Sequence, residues 1–229
     1  MKIAGLQKLT LLDFPTRTAC TVFTAGCNFR CPFCHNSDLL FKQQGELTED
    51  EFFEFLRSRK GLLDGVCITG GEPLLQNDII PFMQRIRSLG FLVKLDTNGS
   101  IYSKLEQIVN NKLCDYIAMD IKNIPQKYNL SCGGMVNVEN VLKSVNLLIN
   151  QTQIDYEFRT TVVKGLNEIE DFSQIASFIK GAKRYYLQAY KHSDKVLKQG
   201  YSAYSEEEMH TINNVLHKNG LGCAKLRGV

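Results

Sequence analysis

Three cysteines within eight residues are the feature of the chain that most clearly predicts chemistry. Cys27, Cys31 and Cys34 lie in "TAGCNFRCPFCHNSD" with the spacing C-x3-C-x2-C. Thiolates are soft ligands that suit zinc, copper(I) or iron–sulfur clusters. A structural zinc site is usually closed by four ligands. His35 could be the fourth, but it directly follows Cys34, and adjacent residues rarely reach one metal ion.

Iron–sulfur proteins of the ferredoxin type use four cysteines per cluster, commonly in a C-x2-C-x2-C run. Here the first gap is three residues, and no fourth cysteine is nearby. The remaining option is a [4Fe–4S] cluster with three irons on cysteines and one open iron. An open coordination position can bind a substrate, as it does in catalytic zinc sites.

Unusual polar motifs follow the ends of several predicted strands. After the cysteine loop come "GGEP" (70–73), "DTNG" (96–99) and "MDIK" (119–122), and Arg159 lies inside a fifth run, "EFRTT". In parallel α/β folds, ligands bind at the carboxyl ends of the strands. We therefore expect these motifs to converge on one face, with the cysteine loop above it.

The elements that position these motifs alternate between two sequence periods. Short β-branched runs predict six strands, at 18–25, 65–70, 91–97, 114–121, 155–163 and 184–190. Segments with helical spacing separate them, and Thr48 and Ser205 are typical N-caps. This pattern predicts one α/β domain, 1–229, folded as an incomplete (β/α)6 barrel of the TIM type, open on one side. A doubly wound open sheet is the alternative.

The composition excludes several function classes. The chain has 229 residues, 44% apolar and 22% charged, with a formal net charge of +3, which is too mild to predict binding to nucleic acid or to an acidic membrane. No apolar run approaches the roughly 20 residues of a membrane span. The first residues have no continuous apolar stretch before Asp13, so we expect no secretion signal.

Cysteine usage indicates a reducing compartment, which we take to be the cytoplasm. A disulfide framework is typical of small secreted domains, and this chain is neither small nor signal-bearing. Five of the eight cysteines are scattered, and we interpret them as small buried apolar residues. One of these, Cys132, is predicted to lie on a loop after the fourth strand.

The combination of motifs resembles a known superfamily. C-x3-C-x2-C with an aromatic residue before the last cysteine resembles the signature of the radical S-adenosylmethionine (SAM) enzymes, and "GGEP" at the next strand end strengthens the resemblance. In that family the open iron chelates the methionine amino and carboxylate groups. The cluster donates one electron, and a 5′-deoxyadenosyl radical forms. The resemblance implies both cofactors here, a [4Fe–4S] cluster and SAM.

Within the superfamily, four motifs resemble those of the activating enzymes of glycyl-radical enzymes: "CNFRCPFCHN", "GGEPLLQ", "DTNG" and "MDIK". The N-terminal "GLQKLTLLDFP" resembles the activating proteins of anaerobic ribonucleoside-triphosphate reductase in particular. Thr16 and Arg17 depart from the Gly-Lys that is frequent in that family, although Arg17 keeps the charge.

The resemblance implies roles for the cysteine loop. Cys27, Cys31 and Cys34 would bind the cluster. Phe33 would lie beside the adenine of SAM, and the backbone around Cys34 and His35 would also contact the adenine. Ordinary packing is the alternative for Phe33, and a histidine with satisfied hydrogen bonds is the alternative for His35.

The resemblance also implies roles for four residues at the strand ends and one within a strand. Gly70 and Gly71 would allow the backbone to approach the ligand, and Glu72 would accept from the ammonium of SAM, directly or through the turn. Lys122 would neutralise a neighbouring acid or meet the ligand. Arg159 would pair with the methionine carboxylate, and a core salt bridge is its alternative.

Two acids at neighbouring strand ends require a cation or a donor between them. In the relatives a monovalent cation near the methionine carboxylate takes that place. We therefore expect Asp96, Thr97 and Asp120 to hold such a cation. A turn-forming role in "DTNGS" is the alternative for Asp96.

The resemblance implies an enzyme that generates a glycyl radical on a partner, with anaerobic ribonucleotide reductase as the leading candidate. It implies a low-potential electron donor such as flavodoxin or ferredoxin, and neither nucleic acid nor membrane as a partner. The alternatives are another glycyl-radical partner such as pyruvate formate-lyase, or a small-molecule enzyme of the 7-deazaguanine-synthase type. An electron-transfer or structural iron–sulfur protein is a third possibility that would need neither an open iron nor "GGEP".

Overall fold

A single sheet of eight strands organises the protein. The computed structural model describes residues 1–42 and 44–229. The strands are β1 (Ile3–Thr10), β2 (Ala19–Thr24), β3 (Gly65–Gly70), β4 (Leu92–Thr97), β5 (Tyr116–Asp120), β6 (Asp155–Val162), β7 (Tyr185–Ala189) and β8 (Ala224–Arg227). They lie in sequence order, and β1 is antiparallel to β2 whereas every other neighbouring pair is parallel.

Helices connect the parallel strands. They are α1 (Ser37–Leu40), α2 (Glu49–Ser58), α3 (Ile79–Ser88), α4 (Tyr102–Asn110), α5 (Tyr128–Cys132), α6 (Val138–Asn150), α7 (Asp171–Phe178) and α8 (Glu206–Lys218). Both predicted N-caps are confirmed, since Thr48 and Ser205 each form a reciprocal capping box with the glutamate three residues on. Among the described residues, no helix combines the length and the apolar character that a bilayer crossing demands.

The strand order confirms the incomplete barrel. A doubly wound sheet reverses its strand order near the middle, whereas here each strand pairs with its neighbours in sequence. Within 1–42 and 44–229, β1 and β8 do not pair, so the barrel is open between them. The six predicted strands are β2 to β7. Two strands were not predicted, β1 at the start of the chain and the four-residue β8.

The core has two different faces. Towards the helices it is apolar, with Phe52, Phe53 and Phe82 in mutual ring contact at 5.1–5.2 Å between centroids. Side chains alternate between the two faces of a strand, so the inner face of the barrel can differ from the outer one, and it carries charged residues. Glu157 on β6 is 1% exposed, and Lys94 on β4 is 2% exposed. Closed TIM barrels fill this space with branched apolar side chains, so an enclosed charged interior indicates a polar ligand or an internal ion-pair network.

The register of the sheet places the predicted motifs at one end. Thr24 pairs with Gly70, and Asp120 pairs with Arg159. The cysteines follow β2, and the three polar motifs begin within the last two residues of β3, β4 and β5. The carboxyl ends of adjacent parallel strands therefore meet where the sequence predicts the site.

Candidate functional site

A cavity of about 200 Å³ opens at the carboxyl ends of β2 to β6. Its wall combines thiols, backbone at glycines, carboxylates and two cations, contributed by the cysteine loop and by four strand ends. The lining residues are Cys27, Phe29, Cys31, Cys34, Asn36, Thr69, Gly70, Gly71, Glu72, Asp96, Thr97, Asn98, Asp120, Lys122 and Arg159. The predicted site residues thus meet at one place, apart from Phe33 and His35.

The three cysteines of the loop line this cavity together, and none of them is in a disulfide. Burial raises the pKa of the Cys27 thiol to about 12, although the Phe29 amide donates to its sulfur at 3.4 Å. Burial also raises the pKa of Cys34, which the amide of Asn36 opposes. Amide donors of this kind favour the thiolate form that metal binding requires.

Cys132 corrects a prediction. The sequence placed it on a loop, but it is the last residue of α5, is 1% exposed and forms a hydrogen bond with the thiol of Cys31. That bond is the main cause of a lowered pKa at Cys31. The Arg30 amide also donates to the Cys132 carbonyl at 2.8 Å. The short helix therefore supports the cysteine loop from behind.

The close packing of the backbone requires glycine at positions 70 and 71, independently of any ligand. Gly70 has a φ of +112°, and a Cβ there would lie 2.4 Å from the Thr24 amide nitrogen. A Cβ at Gly71 would lie 1.9 Å from the Gly26 carbonyl oxygen. These distances are well inside van der Waals contact, so the loop after β2 can approach β3 this closely only at glycine.

Glu72 is buried and joins two strand ends. Its Oε1 accepts from the Thr97 hydroxyl at 2.7 Å and from the Leu74 amide at 3.0 Å, and its Oε2 accepts from the Asn98 amide at 2.7 Å. Burial raises the pKa of Glu72 to about 7, although all three hydrogen bonds lower it. The carboxylate therefore already fixes "DTNG" against "GGEP", with lone pairs left for one further donor.

Five charged side chains form a continuous chain along the cavity floor. Lys94 bonds to Asp96, the Arg159 guanidinium bonds to Asp96 at 3.2 Å and to Asp120 at 2.9 Å, and Lys122 bonds to Asp120 at 2.8 Å. Burial raises the pKa of Asp120, but the charges of Arg159 and Lys122 outweigh it and bring the pKa to about 2. With three cations and two anions ionised, this chain of charges carries a net +1.

Arg159 lies between the two carboxylates where a cation was expected. In 1–42 and 44–229, no group of three or more His, Cys, Asp or Glu side chains is arranged around a metal-ion position. Thr97 faces Glu72 instead of the aspartates. The monovalent-cation site at Asp96, Thr97 and Asp120 stays a prediction. The turn in "DTNGS" is formed by Asn98, whose Oδ1 accepts from the Ser100 amide at 2.9 Å, not by Asp96.

Comparison with known proteins decides the family. A family model described as the radical SAM superfamily matches residues 21–179. The chain belongs to the radical SAM superfamily. It is 32% identical to a "Putative glycyl-radical enzyme activating enzyme" of Methanocaldococcus jannaschii, over 90% of this chain and 83% of that protein. This likeness places the two chains in one family.

Two further likenesses agree with that placement. The chain is 29% identical to a pyruvate formate-lyase-activating enzyme of Clostridium pasteurianum, over 82% of each protein. A crystal structure of a domain of the pyruvate-formate lyase-activating enzyme of Bacteroides vulgatus has a TM-score of 0.57 and 22% identity, covering 72% of this chain and 99% of that one. At that identity the structure supports the fold alone.

The residues of this radical SAM chain fit the [4Fe–4S] cluster and SAM that the superfamily uses. Three free thiols face one cavity, and thiolates are the ligands that clusters require. Each cysteine of such a cluster binds a different iron, so the thiols need not converge on a single point. Beside them, a buried carboxylate and a net positive chain of charges suit the ammonium and carboxylate of a methionine moiety.

Phe33 and His35 do not line the cavity. Phe33 is 5% exposed and lies under the Lys122 ammonium, 5.7 Å from the ring centroid. His35 is exposed, and its ring meets the edge of Tyr190 at 5.8 Å. Their predicted adenine contacts stay predictions, and the alternatives are ordinary packing for Phe33 and a hydrogen-bonding role for His35.

Sequence reasoning missed several members of the radical SAM site. Lys94 holds Asp96, and Thr69 donates to the same carboxylate at 3.2 Å. Asn98 donates from its side chain to Asn28 at 3.0 Å, which ties the cysteine loop to "DTNG". The sequence did contain a signal for the Lys94–Asp96 contact, because residues two apart in a strand lie on the same face of the sheet. No local signal marks Asn28.

Proposed function

We propose that this protein is a radical SAM activating enzyme that generates a glycyl radical on a partner enzyme, anaerobic ribonucleoside-triphosphate reductase. The observation that carries the proposal is the joint wall of the cavity, where three free thiols adjoin a buried carboxylate and a charge chain. The activating class is supported by the relatives described above. The choice of the reductase rests on the N-terminal "GLQKLTLLDFP" alone.

The protein's own residues have three tasks in this reaction. Cys27, Cys31 and Cys34 would hold the cluster. Glu72 accepts from the SAM ammonium, and the charge chain around Arg159 attracts the methionine carboxylate through its net positive charge. When bound, the cluster and SAM would supply the radical chemistry that hydrogen abstraction from a glycine requires. The cofactor thus supplies the difficult step, and the barrel supplies position and exclusion of water.

The open side of the barrel suits a protein substrate. Since β1 and β8 do not pair in the described part of the chain, an extended peptide loop can approach the cavity between them. A glycine Cα–H is inert to acid–base chemistry at neutral pH, so a carbon radical is the agent that can abstract its hydrogen. We further propose that a low-potential electron carrier, of the flavodoxin or ferredoxin type, reduces the cluster.

The test is anaerobic incubation of the cluster-loaded protein with reductant, SAM and the reductase. Electron paramagnetic resonance should detect a glycyl doublet on the reductase, and deuterium from the labelled glycine should appear in 5′-deoxyadenosine. Pyruvate formate-lyase in place of the reductase is the matched comparison. Robust SAM cleavage without a radical on the reductase would refute the reductase as partner and leave pyruvate formate-lyase or a small molecule in its place. Absence of SAM cleavage would refute the enzyme class.

A further inference from the structure

A lysine-bearing segment lies directly on the cysteine loop. Residues 190–199 follow β7, and within them the Lys198 amide donates to the Pro32 carbonyl at 2.9 Å. On the same side, the Ser37 hydroxyl donates to the Lys195 carbonyl. Pro32 lies between the second and third cysteines of the motif, so this segment is attached by its backbone to the cluster-binding loop.

The segment is fixed by two buried anchors. Tyr190 is 3% exposed and Val196 is 7% exposed. Gln199 returns to the segment, where its side-chain amide donates to the carbonyls of Ser193 and Asp194 at 3.3 and 3.4 Å. The backbone between the anchors therefore has a defined position, and its side chains project from a fixed surface.

Three lysines of this segment are exposed, and we call them the lysine face: Lys191, Lys195 and Lys198. Within 1–42 and 44–229, none of the three lies within 4 Å of a carboxylate oxygen. An exposed ammonium with no ion-pair partner contributes little to stability. These charges are therefore free to act on a molecule outside the chain.

The neighbouring charges leave the surface positive. Asp194 on the segment and Asp38 on α1 are exposed acids, and Arg30 of the cysteine loop is an exposed cation stacked on Phe41 at 5.0 Å. With the three lysines this makes four cations against two anions, a net +2. The formal charge of the whole chain is +3, so the surface over the cysteine loop holds a large share of the excess.

The lysine face is also close to the cluster ligands. Consecutive Cα atoms are about 3.8 Å apart, and Lys198 contacts Pro32, so the backbone of Lys198 lies within about 10 Å of the Cα atoms of Cys31 and Cys34. A macromolecule seated on the lysine face would thus lie against the outer side of the cluster-binding loop.

We propose that the lysine face is the docking surface for an acidic one-electron donor protein. The inference rests on the proposed function, since only a cluster that must be reduced needs such a donor. In the encounter the donor loses one electron and the cluster gains one, and no bond or proton moves at this surface. Complementary charge steers association and raises the association rate, and salt screens the effect.

The charge-reversed variant Lys191→Glu/Lys195→Glu/Lys198→Glu tests the proposal. Its matched control is Lys112→Glu/Lys180→Glu/Lys218→Glu, which changes the net charge equally on exposed lysines that precede the amino ends of β5, β7 and β8. The probe is oxidised flavodoxin, titrated calorimetrically against each cluster-loaded protein at low ionic strength. The lysine-face variant should bind at least about tenfold more weakly, and the control should stay close to the wild type.

A second arm separates docking from chemistry. Cluster bleaching by reduced flavodoxin should slow about tenfold in the lysine-face variant, whereas bleaching by the small methyl viologen radical should be unchanged. Wild-type flavodoxin affinity in that variant would overturn the proposal. Loss of the partner's glycyl radical under methyl viologen would also overturn it and assign the surface to the glycyl-radical enzyme. If the wild-type protein did not cleave SAM with methyl viologen as reductant, the proposed function would be refuted. The flavodoxin titration would still test whether the lysine face is a docking surface.

Discussion

At the scale of single residues, the chemistry of the site depends on thiols that differ in their surroundings. Cys27, Cys31 and Cys34 line the cavity, whereas Cys132 contacts one of them from outside. A ligand to iron cannot be replaced by a methyl group, because the metal then loses a bond. A second thiol that only donates a hydrogen bond to a ligand tunes the cluster without holding it.

We therefore expect Cys31→Ala, like Cys27→Ala and Cys34→Ala, to lose the cluster or all SAM cleavage. Cys132→Ser keeps a hydrogen-bonding group and should retain both. The measurement is iron and sulfide content with the visible spectrum after anaerobic reconstitution. Cys223→Ala is the control, since its thiol donates to the Ala182 carbonyl away from the site. Near-normal cleavage by any of the three alanine variants would contradict the ligand assignment.

Glu72 should make the cluster-free protein less stable as pH rises. Its pKa is about 7 in the folded protein against an ordinary value of 4.5. Between these values the folded state keeps a proton that the unfolded state has lost, so the free energy of unfolding falls, by about 3 kcal/mol in total, and stays low above pH 7. Glu72→Gln should flatten this slope, as measured by urea denaturation from pH 4.5 to 8.

The control for that experiment is Glu51→Gln. Glu51 is also a hydrogen-bonded glutamate, but it is exposed at the start of α2, and the hydrogen bonds from the Thr48 amide and hydroxyl lower its pKa. Its replacement should leave the loss of stability between pH 4.5 and 7 in place. An unchanged slope in Glu72→Gln would mean that the carboxylate is ionised in the fold at neutral pH.

At the scale of elements, the turn between β1 and β2 is the strained connection. Thr16 has a φ of +62°, a region that a β-branched residue rarely adopts. It stands where the reductase activating proteins that the N-terminal segment resembles frequently have glycine, so this departure from their sequence has a backbone consequence. Thr16 is exposed, and no hydrogen bond to its side chain exists in the described residues.

Thr16→Gly should stabilise the protein by about 1 kcal/mol. Relief of the strained backbone contributes about 1–2 kcal/mol, and the greater freedom of glycine in the unfolded chain offsets part of it. The free energy of unfolding from urea denaturation measures the difference. Lys112, with a φ of +52° but no β-branch, is the comparison, and Lys112→Gly should gain less. A lower free energy of unfolding in Thr16→Gly than in the wild type would contradict the interpretation that the backbone is strained at Thr16.

At the scale of the whole molecule, the cysteine loop is held by outer segments as well as by the strand ends of the barrel. The cysteine loop contacts α5 through Cys132 and the lysine-bearing segment through Pro32. The central strands, by contrast, are held by continuous parallel ladders and by an apolar layer under the helices. Stability is therefore expected to be unevenly distributed.

Removal of the cluster by an iron chelator should loosen these outer segments and leave the barrel folded. Amide hydrogen exchange should speed up in residues 25–40 and 190–199, because the ligand that stabilises them is gone. Exchange in β3, β4 and β5 should change little, and the far-ultraviolet circular dichroism should be retained. Uniform acceleration across the sheet would instead mean that cluster binding and global folding are one transition.

Local sequence patterns were enough to predict most secondary-structure elements and the class of chemistry. Strand runs, the caps at Thr48 and Ser205, and the C-x3-C-x2-C spacing are patterns within a few residues, so they can be recognised without the fold. They sufficed for six strands and for many of the residues that line the cavity. Each predicted motif lies at a strand end because parallel strands present their carboxyl ends to one side.

Which side chains meet depends on the tertiary fold. Arg159 bonds to both aspartates because β6 lies beside β5 in a particular register. Glu72 bonds to "DTNG", and Cys132 reaches Cys31, across long stretches of chain. The sequence pattern also did not predict the edge strands β1 and β8. The strand β8 is only four residues long. Contacts between distant segments follow from register and packing, which no local period encodes.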